Sequence, residues 1–213
     1  ENSDTFADYF LSNDSQLISL LTTTNNVQTR IDCVPVINLA IKKAPDAGKI
    51  FISKVLEKMD EILDNWKNFD QIFQPIYFYV TEINSDRRDI LDAFIDLLNN
   101  KIPEKFKDRQ LEDFISTVNM SCVFKIILHL IIQLNLTEEF QSAIIEETFM
   151  NRWFQSAQHT FEFSSLVTYF LKDNKKHTDE YLNYILENGK KINPSTLAAH
   201  FSNACTFSKC INT

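Results

Sequence analysis

The sequence predicts an all-α protein, a compact bundle of about nine to eleven amphipathic helices with short antiparallel connections. Glycine occurs only twice in 213 residues, at Gly48 and Gly189, whereas average usage would give about fifteen. Because tight hairpin turns need residues at positive φ, a chain so poor in glycine favours helices. In nearly every segment, apolar residues also recur at intervals of three or four, the helical period. One helical domain is predicted over 1–213, a length that can bury a sizeable core.

Two helices are predicted at the start of the chain. The first begins at a capping Asp4 and carries Phe6, Tyr9 and Phe10 on one face. The second covers about 14–21 and ends at the polar segment TTTNN, whose residues favour a break. Its inward positions are Leu17, Leu20 and Leu21.

The next two helices are predicted at 32–44 and 49–66. Pro35 is tolerated in the first of them because the opening turn of a helix has no internal hydrogen bond to lose. Segment 49–66 gives the clearest helical signal of the chain, since its apolar residues step mostly by three or four. They are Phe51, Val55, Met59, Ile62, Leu63 and Trp66.

The segment FDQIFQPIYFYVTEI, residues 69–83, is ambiguous. Its alternating aromatic residues are compatible with a strand, and Pro75 interrupts a helix. Because no second strand candidate lies nearby to pair with it, a kinked or split helix is the favoured interpretation. Asn84 or Ser85 then caps a helix that runs through Leu98.

The longest apolar run follows a short helix predicted at 110–118. It covers Val123–Leu134, 12 residues, whereas a transmembrane helix needs about 20. Lys125, His129 and Gln133 recur every four residues and form one polar stripe along the helix. The run is therefore predicted to be a core helix with a narrow polar edge, not a membrane span, and His129 a hydrogen-bonded structural histidine.

Four further helices complete the series. Gly189 is expected to supply the C-cap of the third, and Pro194 to open the fourth, because proline is favoured at the first helical position. The predicted helices are Glu138 to about Trp153, Phe161–Leu171, Asp179–Leu186, and a final helix that begins at Asn193-Pro194-Ser195.

The charge balance excludes a nucleic-acid partner. The formal net charge is −8 and the isoelectric point is near 5.0, whereas nucleic acids and anionic membranes attract a basic surface. The short basic clusters lie near predicted helix ends, where cations suit the helix dipole or solvent. They are Lys42-Lys43, Arg87-Arg88, Lys175-Lys176 and Lys190-Lys191.

The sequence contains no catalytic or metal-binding constellation. Two glycines cannot supply a P-loop or a dinucleotide-binding fingerprint, and no H-E-x-x-H motif occurs. The cysteines and histidines lack the close pairs of a zinc site. We therefore predict a non-enzymatic binding protein without cofactor or metal. Its 18 phenylalanines and six tyrosines fill an interhelical core or, alternatively, line a site for an apolar ligand.

Cys33, Cys122, Cys205 and Cys210 are candidates for disulfide bonds. An even number suits a secreted, oxidised protein, and four cysteines allow three pairings. Cys205 and Cys210 are five residues apart, which on an unbroken helix separates their directions by about 140°. They can pair only if the helix ends between them; otherwise each reaches back to Cys33 or Cys122. Cys122 lies on the core helix and is equally compatible with a buried free thiol.

Three triplets match the acceptor pattern for N-linked glycosylation: Asn13-Asp14-Ser15, Asn119-Met120-Ser121 and Asn135-Leu136-Thr137. A chain with this content of asparagine, serine and threonine contains about three by chance, so they do not establish secretion. Thr137 can also cap a helix whose first turn holds Glu138 and Glu139.

The chain begins ENSDTFADYF, without Met, as a mature protein does after removal of a signal peptide. With its scarce glycine, its Phe-rich amphipathic helices and the late cysteines of NACTFSKCINT, it resembles the secreted all-helical salivary proteins of blood-feeding insects, mosquitoes in particular. The resemblance implies a small, disulfide-bonded, non-enzymatic effector that binds host proteins, cells or small mediators and alters immunity or haemostasis. It implies no site residues.

The favoured hypothesis is thus a secreted protein that binds a protein partner, such as a host cell-surface or plasma protein. One alternative is an intracellular, cytoplasmic scaffold of HEAT or armadillo type, a stack of helical hairpins that holds a partner peptide. The irregular spacing of similar helix endings disfavours a regular repeat. The other alternative is a secreted carrier of lipid or another apolar ligand.

Overall fold

The computed structural model describes residues 2–23, 26–66, 69–140, 153, 160–171, 175–191 and 194–210. All regular secondary structure in these ranges is helical, which confirms the predicted all-α class. The ranges contain 13 α-helices, more than predicted because one predicted helix is split and a short one is added. The contacts divide the chain into two compact units, 1–106 and 107–213. The organisation as a single domain stays a prediction.

The described residues of the N-terminal unit, 1–106, form eight α-helices and one π-helical turn. Within it α1 packs against α3 and α4, and α6 packs against α2, α3 and α4. The helices are α1 (Asn2–Ser12), α2 (Asp14–Thr23), α3 (Val27–Lys43), α4 (Pro45–Glu57), α5 (Met59–Asp64), α6 (Phe69–Glu82), α7 (Arg88–Asp96), the π turn Leu97–Lys101 and α8 (Ile102–Lys105).

The start of α3 differs from the prediction. The helix begins at Val27 rather than at residue 32, and its N-cap is Asn26, whose side chain accepts a hydrogen bond from the Thr29 N–H at 3.2 Å. Pro35 therefore lies inside the helix, not in its first turn. The earlier turn is held by tertiary packing, because Arg30 and Val34 are both buried.

The predicted helix 49–66 is divided in the structure. It starts earlier, with Pro45 at the first position of α4, and breaks at Lys58 before α5. The predicted inward face is largely confirmed: Phe51, Val55, Met59, Ile62 and Leu63 are buried. Trp66 is half-buried, with its ring edge-on to Phe106 at 6.3 Å.

The ambiguous segment 69–83 is helical. Helix α6 continues through Pro75 without splitting, so the helical interpretation is confirmed over the strand. Its inner face is anchored by Phe73, which meets Phe94 of α7 edge to face, with ring centres 5.2 Å apart.

Helix α7 begins later than predicted. Its N-cap is Arg87, and the side chain of Asn84 instead accepts a hydrogen bond from the Asp86 N–H at 2.8 Å. The helix continues into the π turn and α8, where Pro103 lacks the N–H that an α-helical turn would use. Lys101 and Lys105 tie this end to Asp60 and Asp64, respectively.

The C-terminal unit, 107–213, has five α-helices in its described ranges. Helix α11 packs against α10 and α13, and α12 packs against α11 and α13. The helices are α9 (Arg109–Thr117), α10 (Ser121–Gln133), α11 (Thr160–Leu171), α12 (Lys175–Asn188) and α13 (Pro194–Cys210). Most of the predicted helix 138–153 lies outside the described residues; residues 137–140 are helical, and Leu136, not Thr137, precedes that turn.

Helix α10 confirms the predicted core helix. Lys125 and Gln133 are exposed and His129 is half-buried, while the other faces are largely buried. Phe124 is fully buried, with its ring centre 5.7 Å from those of Trp153 and Phe163. No single helix in the described ranges is long and apolar enough to cross a membrane; α9 and α10 together reach that length, but the chain bends by 79° between them.

The predicted C-cap role of Gly189 is wrong. Its φ is not positive, and it begins a 3₁₀ turn, Gly189–Lys191. A Cβ at this position would lie 2.8 Å from Cδ1 of Leu197, so the glycine allows α13 to approach closely. The prediction that Pro194 opens the final helix is confirmed.

Candidate functional surface

The aromatic face of α1 is exposed to solvent. The prediction placed Phe6, Tyr9 and Phe10 on the apolar face of this helix, but Phe6 is 67% and Tyr9 69% exposed. The residues that pack inward are the smaller Ala7 and Leu11. The Phe6 and Phe10 rings stack on each other, with centres 6.3 Å apart. Asp4 lies within the first turn and is not the N-cap.

A second exposed apolar row runs along α3. Val27, Ile31 and Leu39 are each about half exposed, and Pro35 between them is exposed too. Their four-residue spacing places them along one side of the helix. This side lies away from the buried row of α3, which is Arg30, Val34, Ile37 and Ile41.

Together these residues form what we call the α1/α3 surface: Phe6, Tyr9, Val27, Ile31 and Leu39. The two helices that carry it are in direct contact. Single exposed apolar residues are ordinary, whereas a concentration of them on neighbouring elements marks an interaction site. Sequence reasoning missed this surface, although the four-residue spacing from Val27 was a visible signal.

An ion pair between a buried arginine and an exposed aspartate lies at the start of α7. Arg87 is buried, and its Nε and Nη2 donate to the two carboxylate oxygens of Asp89, both at 2.7 Å. Its guanidinium also lies 5.4 Å from the ring centre of Tyr79. These hydrogen bonds lower the pKa of Asp89, and partial burial opposes the shift. The pair stabilises this helix end and favours the ionised form of Asp89.

The C-terminal unit contains a buried pair of polar rings. The Tyr181 hydroxyl lies 2.9 Å from Nδ1 of His200, and both side chains are buried. Phe163 meets the imidazole edge to face at 6.1 Å. Burial raises the pKa of Tyr181, and the nearby Ser164 hydroxyl opposes the shift. Tyr181, Ser164 and His200 are all buried, and this cluster links α11, α12 and α13.

Cys33, which is half-buried on α3, carries a free thiol in the structure. Its pairing with a cysteine of residues 107–213 stays a prediction. Cys122 is buried on α10. The side chains of Cys205 and Cys210 lie outside the described residues, but α13 runs through both positions unbroken. That backbone does not suit a bridge between these two, and other pairings stay predictions.

In the described ranges, no group of three or more histidine, cysteine, aspartate or glutamate side chains is placed to hold a metal ion. Glu162 accepts a hydrogen bond from the Ser121 hydroxyl at 3.1 Å and lies 3.3 Å from Lys125. These contacts join α10 to α11, which is a structural role.

Comparison with known proteins leaves the fold class as the only assignment. No protein-family model, no curated protein and no solved structure matches this chain. The molecule is an all-α protein of packed helices, and its function has to be argued from its surface.

Proposed function

We propose that this chain is a secreted, non-enzymatic protein that binds a protein partner through the α1/α3 surface. The observation that carries the proposal is the exposure of Phe6 and Tyr9 on α1 together with that of the apolar row on α3, a helix that α1 contacts. Removing apolar surface from water is favourable roughly in proportion to its area, so covering large apolar side chains contributes most to binding. Aromatic residues are also enriched at the centres of protein interfaces.

The charges on the same helices favour one kind of partner. Asp4, Asp8 and Asp32 are exposed on α1 and α3, and the whole chain carries a net charge of −8. An acidic chain that exposes apolar side chains is complementary to a partner whose apolar patch is bordered by lysine or arginine. The resemblance to insect salivary proteins makes a host plasma or cell-surface protein the partner class to test first.

The binding experiment compares two variants that each lose exposed apolar side chains, one on the α1/α3 surface and one elsewhere. The first changes Phe6, Tyr9 and Leu39 to serine. The control changes Ile50 and Leu186 to serine, since both are 62% exposed but lie outside the α1/α3 surface. Exposed substitutions of this kind change stability little, so both variants should remain folded by circular dichroism.

Each protein is cross-linked to plasma and to intact blood cells, and any partner recovered is purified and titrated directly. We expect a partner that binds the wild type and the control equally and binds the triple variant at least about tenfold more weakly, which corresponds to about 1.4 kcal/mol. Equal binding by all three proteins would rule out this surface. Co-purifying lipid would favour the carrier, and binding only to an intracellular protein would favour the scaffold.

Secretion has its own test. Protein exported from cultured insect cells behind a signal peptide is alkylated without reduction, and its free thiols are counted by mass. We expect Cys33 to be modified after unfolding, and fewer than four thiols in total, since an oxidising compartment favours a bridge among the other three cysteines. Four free thiols in exported protein would contradict the secreted interpretation.

A further inference from the structure

The three N-x-S/T triplets occupy very different places in the fold. Asn13 is half-buried, and its Nδ2 donates to the carbonyl of Tyr9 at 2.8 Å, where it closes the end of α1. Asn119 is also half-buried, and its side-chain oxygen accepts a hydrogen bond from the Ser121 N–H at 2.9 Å. The asparagine side chains of both triplets are thus engaged in backbone contacts that hold helix ends.

Asn119 is further constrained by its neighbours. Val118 and Met120, on either side of it, are both buried. A glycan attached to Asn119 would have to reach solvent between Val118 and Met120, whose buried side chains anchor the turn from α9 to α10.

Asn135 is placed differently. It is exposed and has a φ of 54°, a conformation that asparagine tolerates better than most residues. Its own N–H donates to the carbonyl of Ile132 at 3.2 Å, and the Leu136 N–H donates to the carbonyl of Ile131 at 3.0 Å. This pair of bonds is the Schellman motif, which ends α10 and fixes the backbone without using the Asn135 side chain.

We propose that Asn135 is the N-glycosylation site of this protein, and that Asn13 and Asn119 are not modified in the folded, exported chain. In this reaction the Asn135 amide nitrogen forms a bond to the anomeric carbon of a lipid-pyrophosphate-linked oligosaccharide. The nitrogen loses one proton, and the lipid pyrophosphate leaves with the electrons of the broken C–O bond. A glycan added before folding is compatible with this fold at Asn135, because the amide reaches solvent at the end of a helix. The inference rests on the secreted half of the proposed function.

The test uses full-length protein exported from cultured insect cells. Glycans are removed with an amidase in heavy-oxygen water, which converts each modified asparagine to labelled aspartate, and peptides are mapped by mass. We expect the label at Asn135 alone. Asn135→Asp keeps a residue suited to positive φ and should remove the mass of the glycan from the intact protein, and Thr137→Ala should remove it as well. Thr137→Ser should keep the glycan, and Asn119→Gln should leave it unchanged.

Folded, exported protein without a glycan at Asn135, or with the glycan at Asn13 or Asn119, would overturn this inference. The outcome is separable from that of the proposed function, because the partner titration is run on the same exported protein. Selective loss of partner binding in the triple variant without any glycan overturns only the glycosylation site. A glycan at Asn135 together with unchanged binding by the triple variant overturns only the binding surface.

Discussion

The structure predicts that substitution by alanine destabilises the protein strongly at one phenylalanine of the N-terminal unit and hardly at all at another. Phe94 is fully buried and meets Phe73 edge to face at 5.2 Å. Removing a fully buried phenylalanine side chain costs about 3–5 kcal/mol, because apolar burial is lost and a cavity is left. The edge-to-face pair, worth about 0.5–1.5 kcal/mol, places Phe94→Ala toward the upper end of that range.

Phe6→Ala should be nearly neutral. Full burial of a phenylalanine is worth about 1.5–3 kcal/mol, and Phe6 is 67% exposed, so about 0.5–1 kcal/mol is at stake. Alanine recovers about 0.5 kcal/mol of this, since it favours the helix more than phenylalanine does. The net change should therefore lie within about 0.5 kcal/mol.

Urea unfolding followed by tryptophan fluorescence measures both variants. Trp66 is the only tryptophan of residues 1–106, and a Trp153→Phe background leaves it as the single reporter. For a urea dependence of about 2 kcal/mol/M, the expected loss moves the Phe94→Ala midpoint down by about 1.5–2.5 M. A Phe94→Ala midpoint within about 0.5 M of the parent, or a Phe6→Ala shift as large as that of Phe94→Ala, would refute the assignment of core and surface.

Three further substitutions test the buried polar groups and one close contact. Tyr181→Phe should cost about 1–3 kcal/mol, because His200 loses a buried hydrogen-bond partner. Since burial raises the pKa of Tyr181, its contribution to the free energy of unfolding is complete below about pH 10 and falls as the pH rises further, by up to about 1.4 kcal/mol per pH unit. An equally steep loss of stability at alkaline pH in Tyr181→Phe would contradict this. Asp89→Asn should cost about 1 kcal/mol at pH 7, since the carboxylate is 59% exposed and solvent screens its pairing with Arg87. Because the pKa of Asp89 is lowered, the pair contributes stability above about pH 4 that is lost as the pH falls through the folded-state pKa. If Asp89→Asn lost stability at acid pH as steeply as the parent does, the pair would be contradicted. Gly48→Ala should destabilise by about 1 kcal/mol in urea titrations, because the new methyl group lies 3.0 Å from a buried isoleucine of α3 and overpacking exceeds the gain in helix propensity; a more stable variant would show that the isoleucine can move.

Segments with a strongly one-sided apolar pattern were predicted well from the sequence. In α10 the predicted polar positions Lys125 and Gln133 are exposed and His129 is half-buried, and in α4 and α5 most of the predicted inward residues are buried. Helix ends were predicted less well. The start of α3 depends on burial of Arg30 and Val34, and the break at Lys58 has no glycine or proline to announce it.

The candidate surface depended on information that local sequence does not carry. Helix α1 has two apolar rows, one aromatic and one of smaller residues, and periodicity alone favours burial of the larger side chains. In the structure α1 packs on α3 and α4, and the smaller residues Ala7 and Leu11 are its buried ones. Small side chains allow such close approach, whereas Phe6 and Tyr9 would hold the helices apart.

The sequence by itself determined the helical class, because scarce glycine and a helical apolar period leave few other ways to satisfy the backbone. It also determined the amphipathic nature of α10 and the acidic charge of the whole chain. Only the tertiary structure decided which of two apolar rows faces the core, which asparagine reaches solvent, and why Gly189 is needed. Each of these depends on how helices end and pack against one another, which the apolar pattern of a single helix does not encode.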